Sequence, residues 1–465
     1  VPRPANPSVR TGWALPSFVL SGVPPMARQN YARELTAALF FPFALTAFEG
    51  SIISVLVKIA FEGSVERDVL NRAVSLLAVI PALANISSFV WVRLSHGKDK
   101  VRFLRRLQLG VAGVVFLMGL APRNGTGLWL LVAGVLVARG CWAGIATIRS
   151  TIWHANYPAG ARARITGRFA AVQVTLIALL GGALGNAMDA DERAFRVMFP
   201  LGAAVALIGW WIWGGIRVRG HARLLFDEVN GNEREMPSFN PAAMVRVLAA
   251  DRRYAVFMGL QFLLGIGNIT SMAVLALILR ERFETDYSWS IRVATSIPML
   301  MMPLAIPFWA KLLDRTHIVH FRAIHSWLFV AALACLASAA YTGVFWIMIP
   351  FAVLKGVAFG GGVLGWTLGH LDFAPPGKAS NYMGVHVTLT GVRGIIAWLA
   401  GESLYDATFD PARPGTAAVV PLCCLVLTIL GAVGFVLMSR WYRRGTPVGR
   451  PEGGTEASPP ARVTD

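Results

Sequence analysis

Four ionisable residues stand deep inside long apolar stretches: Glu49, Arg139, Lys355 and Arg393. A charge at bilayer depth costs roughly 3 kcal/mol or more, so such side chains face protein or water and are functional candidates by default. A carboxylate there can hold a proton. Desolvation favours its neutral form and nearby cations favour its ionised form, so proton and ligand compete for one site. Three cations against one carboxylate also leave a surplus of positive charge that an anionic or carboxylate-bearing solute would neutralise. Two other roles fit the same residues. Glu49 can pair permanently with Arg139 or Arg393 to hold helices together, and Lys355 can be buried neutral, or Arg393 can lie between halves and never meet a solute.

The elements that carry these residues are membrane spans. The chain has 465 residues, of which 55% are hydrophobic and 15% charged, with a mean hydropathy of +0.57. Because ~20 apolar residues cross the hydrocarbon, twelve windows qualify, at approximately 36–61, 73–92, 107–122, 126–150, 167–188, 196–216, 254–279, 288–310, 323–342, 344–369, 382–404 and 416–440. Helices are the single-segment structure that satisfies its own backbone in lipid. The expected fold is therefore an all-α membrane protein. Little sequence remains for a soluble catalytic domain, and a secreted protein, a soluble enzyme and a DNA-binding factor are excluded. The net charge of +18 does not point to nucleic acid, since the basic residues lie in short loops and form no continuous stripe. Cys141, Cys335, Cys423 and Cys424 all lie in apolar windows and read as buried free thiols.

Topology follows from the basic residues. With an internal amino terminus, 30 of the 43 Lys and Arg fall on the inner side and ten on the outer, which places both termini in the cytoplasm of a cell (inner) membrane. Trp91, Trp153, Trp210, Trp211, Trp213 and Trp441 fall at inner span ends, as an interfacial belt requires. The chain divides into a cytoplasmic segment 1–35, a six-helix half 36–216, a central loop 217–253, a second six-helix half 254–440 and a Gly- and Pro-rich tail 441–465 expected to be disordered. Met26 is the expected translation start.

An internal repeat relates the halves. Arg139-Gly140 ends its span at His154, and Lys355-Gly356 ends at His370 with the same spacing, 216 positions on. The inner loop after the second span of each half reads Val92-Arg93-Leu94-Ser95-His96-Gly97-Lys98-Asp99-Lys100 and Ala310-Lys311-Leu312-Leu313-Asp314-Arg315-Thr316-His317. Here the chain resembles the major facilitator superfamily, whose hallmark is Gly-x-Leu-x-Asp-Arg-x-Gly-Arg-Arg. The second copy keeps Leu312, Asp314 and Arg315 with Ala310 and His317 at the Gly positions, and the first keeps Leu94 and basic residues with His96 at the Asp position. Arg139 and Gly144 match the family's Arg-x-x-x-x-Gly pattern. Gly181-Gly182 in span five lacks the Pro of the antiporter signature.

The resemblance implies twelve transmembrane helices in two pseudo-symmetric halves, with spans one, four, seven and ten lining a central cavity. Three of the four charges are on those spans, and span seven adds Gln261, Asn268, Thr270 and Ser271. The expected function is a proton-coupled secondary transporter of a small solute. Glu49 would be the proton-responsive carboxylate, Arg139, Lys355, Arg393, Gln261 and Asn268 would bind the solute, and Asp314 and Arg315 would form a cytoplasmic gate. The partners are solute, protons and bilayer, with no nucleic acid, metal or cofactor, and the expected state is a monomer. The rivals are a proton-driven exporter of lipophilic or cationic compounds, a sensor on the same scaffold, and a membrane acyltransferase using His370 and Asp372. Glycines at 265, 267 and 360–362 suit either bending helices or close packing.

Overall fold

The computed structural model describes residues 23–230, 241–313, 315–374 and 379–445. Among them the structure is helical, apart from an isolated bridge between Asp410 and Arg413. Eleven stretches are long and apolar enough to cross a membrane: Pro25–Ala60, Arg67–Ser87, Gly125–Asn156, Ile165–Ala190, Phe195–Trp213, Arg252–Glu281, Tyr287–Leu313, Ile318–Thr342, Phe345–Leu368, Tyr382–Thr408 and Pro414–Tyr442. They are spans one, two and four to twelve. Span three is the helix Lys100–Met118, whose first turns carry Lys100, Arg102, Arg105 and Arg106 and so lower its hydropathy. Hydropathy alone starts this span at 107. The basic turns fit because long cationic stems lie along apolar surface with their heads at the interface, and Arg105 sits over the Trp210 ring at 4.2 Å.

The spans form two six-helix bundles. Span three packs against spans four and six, and spans eight and nine pack against span ten. The bundles meet where span two lies along spans seven and eleven and where span five meets the start of span eight. Twelve crossings bring the described chain ends to one face, the terminal face; the opposite face is called distal below.

Small residues let the helices approach closely. At Gly356 a Cβ would overlap the Pro298 carbonyl oxygen of span eight, and at Gly360 it would lie 2.9 Å from the Met302 carbonyl. The glycine run of span ten is therefore packing, and the helix Met348–Leu368 continues through it unbroken. Gly265 and Gly267 likewise lie in the continuous helix Arg252–Glu281, the first against Arg393 and the second against Cys424 and Thr428. Span eight instead widens to a π turn over Arg292–Ser296, just before Pro298, as helices do where the regular ladder is interrupted.

Span one is the broken helix. It runs as Arg28–Ala37, Pro42–Ala47 and Gly50–Ala60. Pro42 suits a first helical turn because it has no N–H to leave unsatisfied. Gly50 opens the third piece, and its missing Cβ admits span two: a side chain there would meet Pro81 Cγ at 3.0 Å and the Leu77 and Ala78 carbonyls at 3.1 Å.

These contacts set a contrast. Gly356→Val should lower stability by about 1–3 kcal/mol through overpacking. Gly140→Ala, whose Cβ would meet nothing within 4 Å, should be neutral or stabilising by up to about 1 kcal/mol. Thermal unfolding of the two purified variants in detergent checks both directions.

Candidate functional site

The break in span one exposes backbone at membrane depth. Ile52 and Ile53 both donate their N–H to the Glu49 carbonyl, which leaves the Phe48 carbonyl without a donor from the next turn. Arg139 of span four supplies one, from Nε at 2.9 Å. The same guanidinium donates through Nη2 to Glu49 Oε2 as an ion pair and lies 5.3 Å from the Phe48 ring centroid. A fork of donors suits this double task. The Glu49 side chain keeps 19% of its surface exposed and that of Arg139 keeps 10%, so one edge of the pair is not covered by protein. Gly144 draws span four close enough to hold this position: a Cβ there would sit 2.7 Å from Trp91 and 2.8 Å from Leu107.

Lys355 occupies the repeat position of Arg139 but has a different environment. Its ammonium is buried and, among the described residues, has no hydrogen-bond partner; it lies 5.3 Å from the Phe351 ring centroid. At the same offset from Glu49 stands Gly265, which has no side chain to offer. The duplicated cation thus survives without a duplicated carboxylate.

Gln261 and Arg393 are brought together, and a residue that hydropathy hides joins them. Arg393 Nη1 donates to the Gln261 carbonyl at 2.7 Å, while Arg322 Nη2 donates to Gln261 Oε1. Arg322 Nη1 is 3.2 Å from His325 Nδ1, and His325 Nε2 is 2.7 Å from the Ala358 carbonyl. Arg322, His325 and Ser326 are fully buried in span nine, although the sequence window for that span begins at 323 and reads Arg322 as a loop cation. Their only sequence signal is a basic pair spaced three apart at a span's start, which ordinary interfacial residues share. Asn268 is buried at 8% exposure, two turns along span seven from Gln261. Asp314 lies outside the described residues, and Arg315 is exposed in a turn.

Ionic contacts between the halves cluster at the distal face. Glu281 of span seven accepts from Lys58, which is itself buried, and from Arg67 at 2.9 Å. Asn71 donates to Asp406 at 2.6 Å, Arg72 approaches Glu402 at 3.5 Å, and Arg280 bridges to Glu62 at 2.6 Å. Asp189 at the end of span five caps the start of span eight through the N–H groups of Tyr287 and Ser288. At the terminal face the contacts run within each half: Lys100 and the Gly97 N–H hold Glu228 of the helix His221–Asn230, and Tyr382 donates to Asp251.

Asp372 does not serve His370. It accepts the Ile318 N–H at 2.7 Å and stands 4.0 Å from His317. Burial holds both the His317 and His370 imidazoles below their ordinary value, for His317 against the pull of the Asp372 carboxylate.

No family model matches the sequence, and neither does any curated protein. Solved structures do match in fold. The nucleoside transporter NupG superposes with a TM-score of 0.62 at 15% identity, over 88% of this chain and 99% of its own. A D-xylose-proton symporter gives 0.64 at 13% identity, over 88% and 96%. PepTSo, a POT family transporter, gives 0.65 at 11% identity, over 91% and 100%.

If Arg139 closes the span-one break, Arg139→Met should cost ~3 kcal/mol, because it strands both a carbonyl and a carboxylate. Arg139→Lys should restore part of this, having one charge but no fork. In a double-mutant cycle with Glu49→Gln, read by thermal unfolding, the two sites should couple by at least ~1 kcal/mol; additive effects would show that the pair does not hold the break.

Proposed function

Starting from the major facilitator fold of this chain, we propose that it is a secondary transporter that moves a small anionic solute by alternating access, coupled to protons. The observation that carries this reading is the span-one break. Irregular backbone at membrane depth is tolerated where it is buried in protein or lines a water-filled cavity, and discontinuous spans are where transporters build their sites. This break places a partly exposed carboxylate beside a guanidinium about 17 Å from the end of its span at 1.5 Å per residue. Protonation of Glu49 would release Arg139 from its ion pair and free the guanidinium for a solute anion; ionisation would restore the pair. Proton and solute binding are thereby linked through one cation.

Lys355 adds to the case. Buried and, among the described residues, without a hydrogen-bond partner or an ion pair, it is a cation whose counter-charge an anionic solute would supply. Asn268 would contribute polar contacts from span seven, and Asp314 and Arg315 would act at the gate. The solved neighbours support transport in general, being named as transporters of nucleosides and of xylose with protons.

The excess of basic residues makes the terminal face cytoplasmic in a cell membrane. The ionic contacts between halves would then close the outer side. The protein would work as a monomer, with the two halves rocking about Glu49, Arg139 and Lys355. The acyltransferase alternative loses its dyad, since Asp372 is held by span nine.

Reconstituted protein tests the coupling. Glu49→Gln should abolish uptake against a solute gradient while solute counterflow persists; accumulation retained in this variant would remove Glu49 from the coupling step. The gate has its own test. Glu281→Gln should weaken the outer closure, so that spin labels at Ser64→Cys and Ala412→Cys in a cysteine-free background show a longer distance population by electron–electron resonance than in the parent.

A further inference from the structure

Span three carries a cationic head on a face that no other helix covers. Along Lys100–Met118 and the turn that follows, exposed positions fall at Arg102, Arg106, Leu109, Gly113, Phe116 and Leu120, a stripe with the three- and four-residue steps of one helix face. On a membrane span such a stripe faces lipid. It begins with two arginines at the terminal face and is apolar beyond them. Span six packs beside it with an exposed stripe of its own, through Leu201, Ile208 and Trp211, the last 72% exposed. Arg105 lies in the seam between the stripes. Its guanidinium carbon is 4.2 Å from the Trp210 ring centroid and 3.0 Å from where a Cβ on Gly214 would be, so this glycine admits it to the end of span six.

The charge in this seam is poorly compensated from within. Among the described residues the one carboxylate paired with these arginines is Asp99, 3.6 Å from Arg102 Nε and shared with His221 at 3.8 Å. The Arg102 side chain is 81% exposed, and Arg105 Nε has no hydrogen-bond partner. The seam is also hollowed without an internal cause. A glycine within a helix costs stability relative to alanine, and elsewhere close packing accounts for it: a Cβ at Gly119 would overlap Pro200, and one at Gly134 would lie 2.6 Å from Met118 Cγ. At Gly110 and Gly113 a Cβ would meet nothing within 4 Å, so these two leave a trough on the exposed face just past the arginines. The scaffold does not require such a seam. Span nine, the counterpart in the second half, opens its exposed face with Ile324 and Trp327 and keeps Arg322 inside.

We propose that the seam between spans three and six binds an anionic phospholipid. Arg102, Arg105 and Arg106 hold the headgroup phosphate, Trp210 and Trp211 flank the glycerol at the interface, and one acyl chain lies in the trough at Gly110 and Gly113. Basic clusters beside spans at the membrane surface suit anionic headgroups, and a guanidinium fork matches phosphate oxygens. The site is apart from the Glu49–Arg139 pair and does not depend on what the chain moves.

Native mass spectrometry and thermal unfolding of the full-length protein in detergent test this, with phosphatidylglycerol and phosphatidylcholine of identical acyl chains as probes. Phosphatidylglycerol should be retained and should raise the melting temperature, and phosphatidylcholine should bind about tenfold more weakly. Arg102→Gln with Arg106→Gln should lower the phosphatidylglycerol affinity about tenfold or more, while the lipid-free melting temperature stays near the parent's because both residues are exposed. Arg102→Lys with Arg106→Lys should recover part of the affinity. Arg193→Gln with Arg196→Gln removes the same charge at the distal end of span six and should leave binding unchanged. Gly113→Leu fills the trough and should weaken the lipid severalfold. Equal affinity for phosphatidylcholine, an equal loss in the distal control, binding undiminished in Arg102→Gln with Arg106→Gln or in Gly113→Leu, or the same melting shift from inorganic phosphate alone would overturn the site.

Discussion

The structure depends on how one helix is allowed to break inside the membrane. A carbonyl without a donor in hydrocarbon is expensive, because no water is there to replace the lost hydrogen bond. Span one stops at Phe48 and restarts at Gly50, and Arg139 meets the cost on both counts, donating to the Phe48 carbonyl and to the Glu49 carboxylate. A structural role for this pair therefore does not compete with the functional role proposed for it. The interaction that makes the break tolerable is also the one that leaves a carboxylate and a guanidinium beside each other within a membrane span.

The halves have diverged around this arrangement. Both carry a cation at the same register, Arg139 and Lys355, but Glu49 of the first has Gly265 at its offset in the second. The first half neutralises its cation internally. The second keeps Lys355 unbonded and gathers Arg322 and Arg393 around Gln261 with no acid among their partners. Positive charge in excess thus belongs to one half. In the proposed mechanism an anionic passenger is drawn to that half, the Glu49–Arg139 pair of the other half carries the proton coupling, and rocking between the halves links the two.

The ionic contacts between the halves gather at one face of the fold. Lys58, Arg67, Arg72 and Arg280 meet Glu281, Asp406, Glu402 and Glu62 across the distal face. Exposed members of such a network contribute little each. The Lys58–Glu281 pair is the exception, since the lysine is buried and also donates to Asn71. Asp189 adds hydrogen bonds to two backbone N–H groups of span eight. At the terminal face, polar contacts fasten each half to its own loops, as when Glu228 ties the central helix to Lys100.

Much of the fold was legible in the chain without coordinates, because the bilayer imposes a length and an apolar composition that local sequence must satisfy by itself. Helix class and the number of spans follow from that one-dimensional constraint, and the doubled architecture was expected from the internal repeat and the family resemblance. It fails at its edges: the basic start of span three and the burial of Arg322 and His325 were hidden, since hydropathy cannot distinguish a cation at the interface from one enclosed by neighbouring helices. Partnerships were beyond reach for the same reason. That Arg139 meets the span-one break, that Arg393 and Arg322 converge on Gln261, that Lys355 finds no hydrogen-bond partner among the described residues and that the glycines of span ten pack rather than bend are outcomes of helix rotation and crossing. These are decided by contacts between residues far apart in the chain, about which local periodicity carries no information.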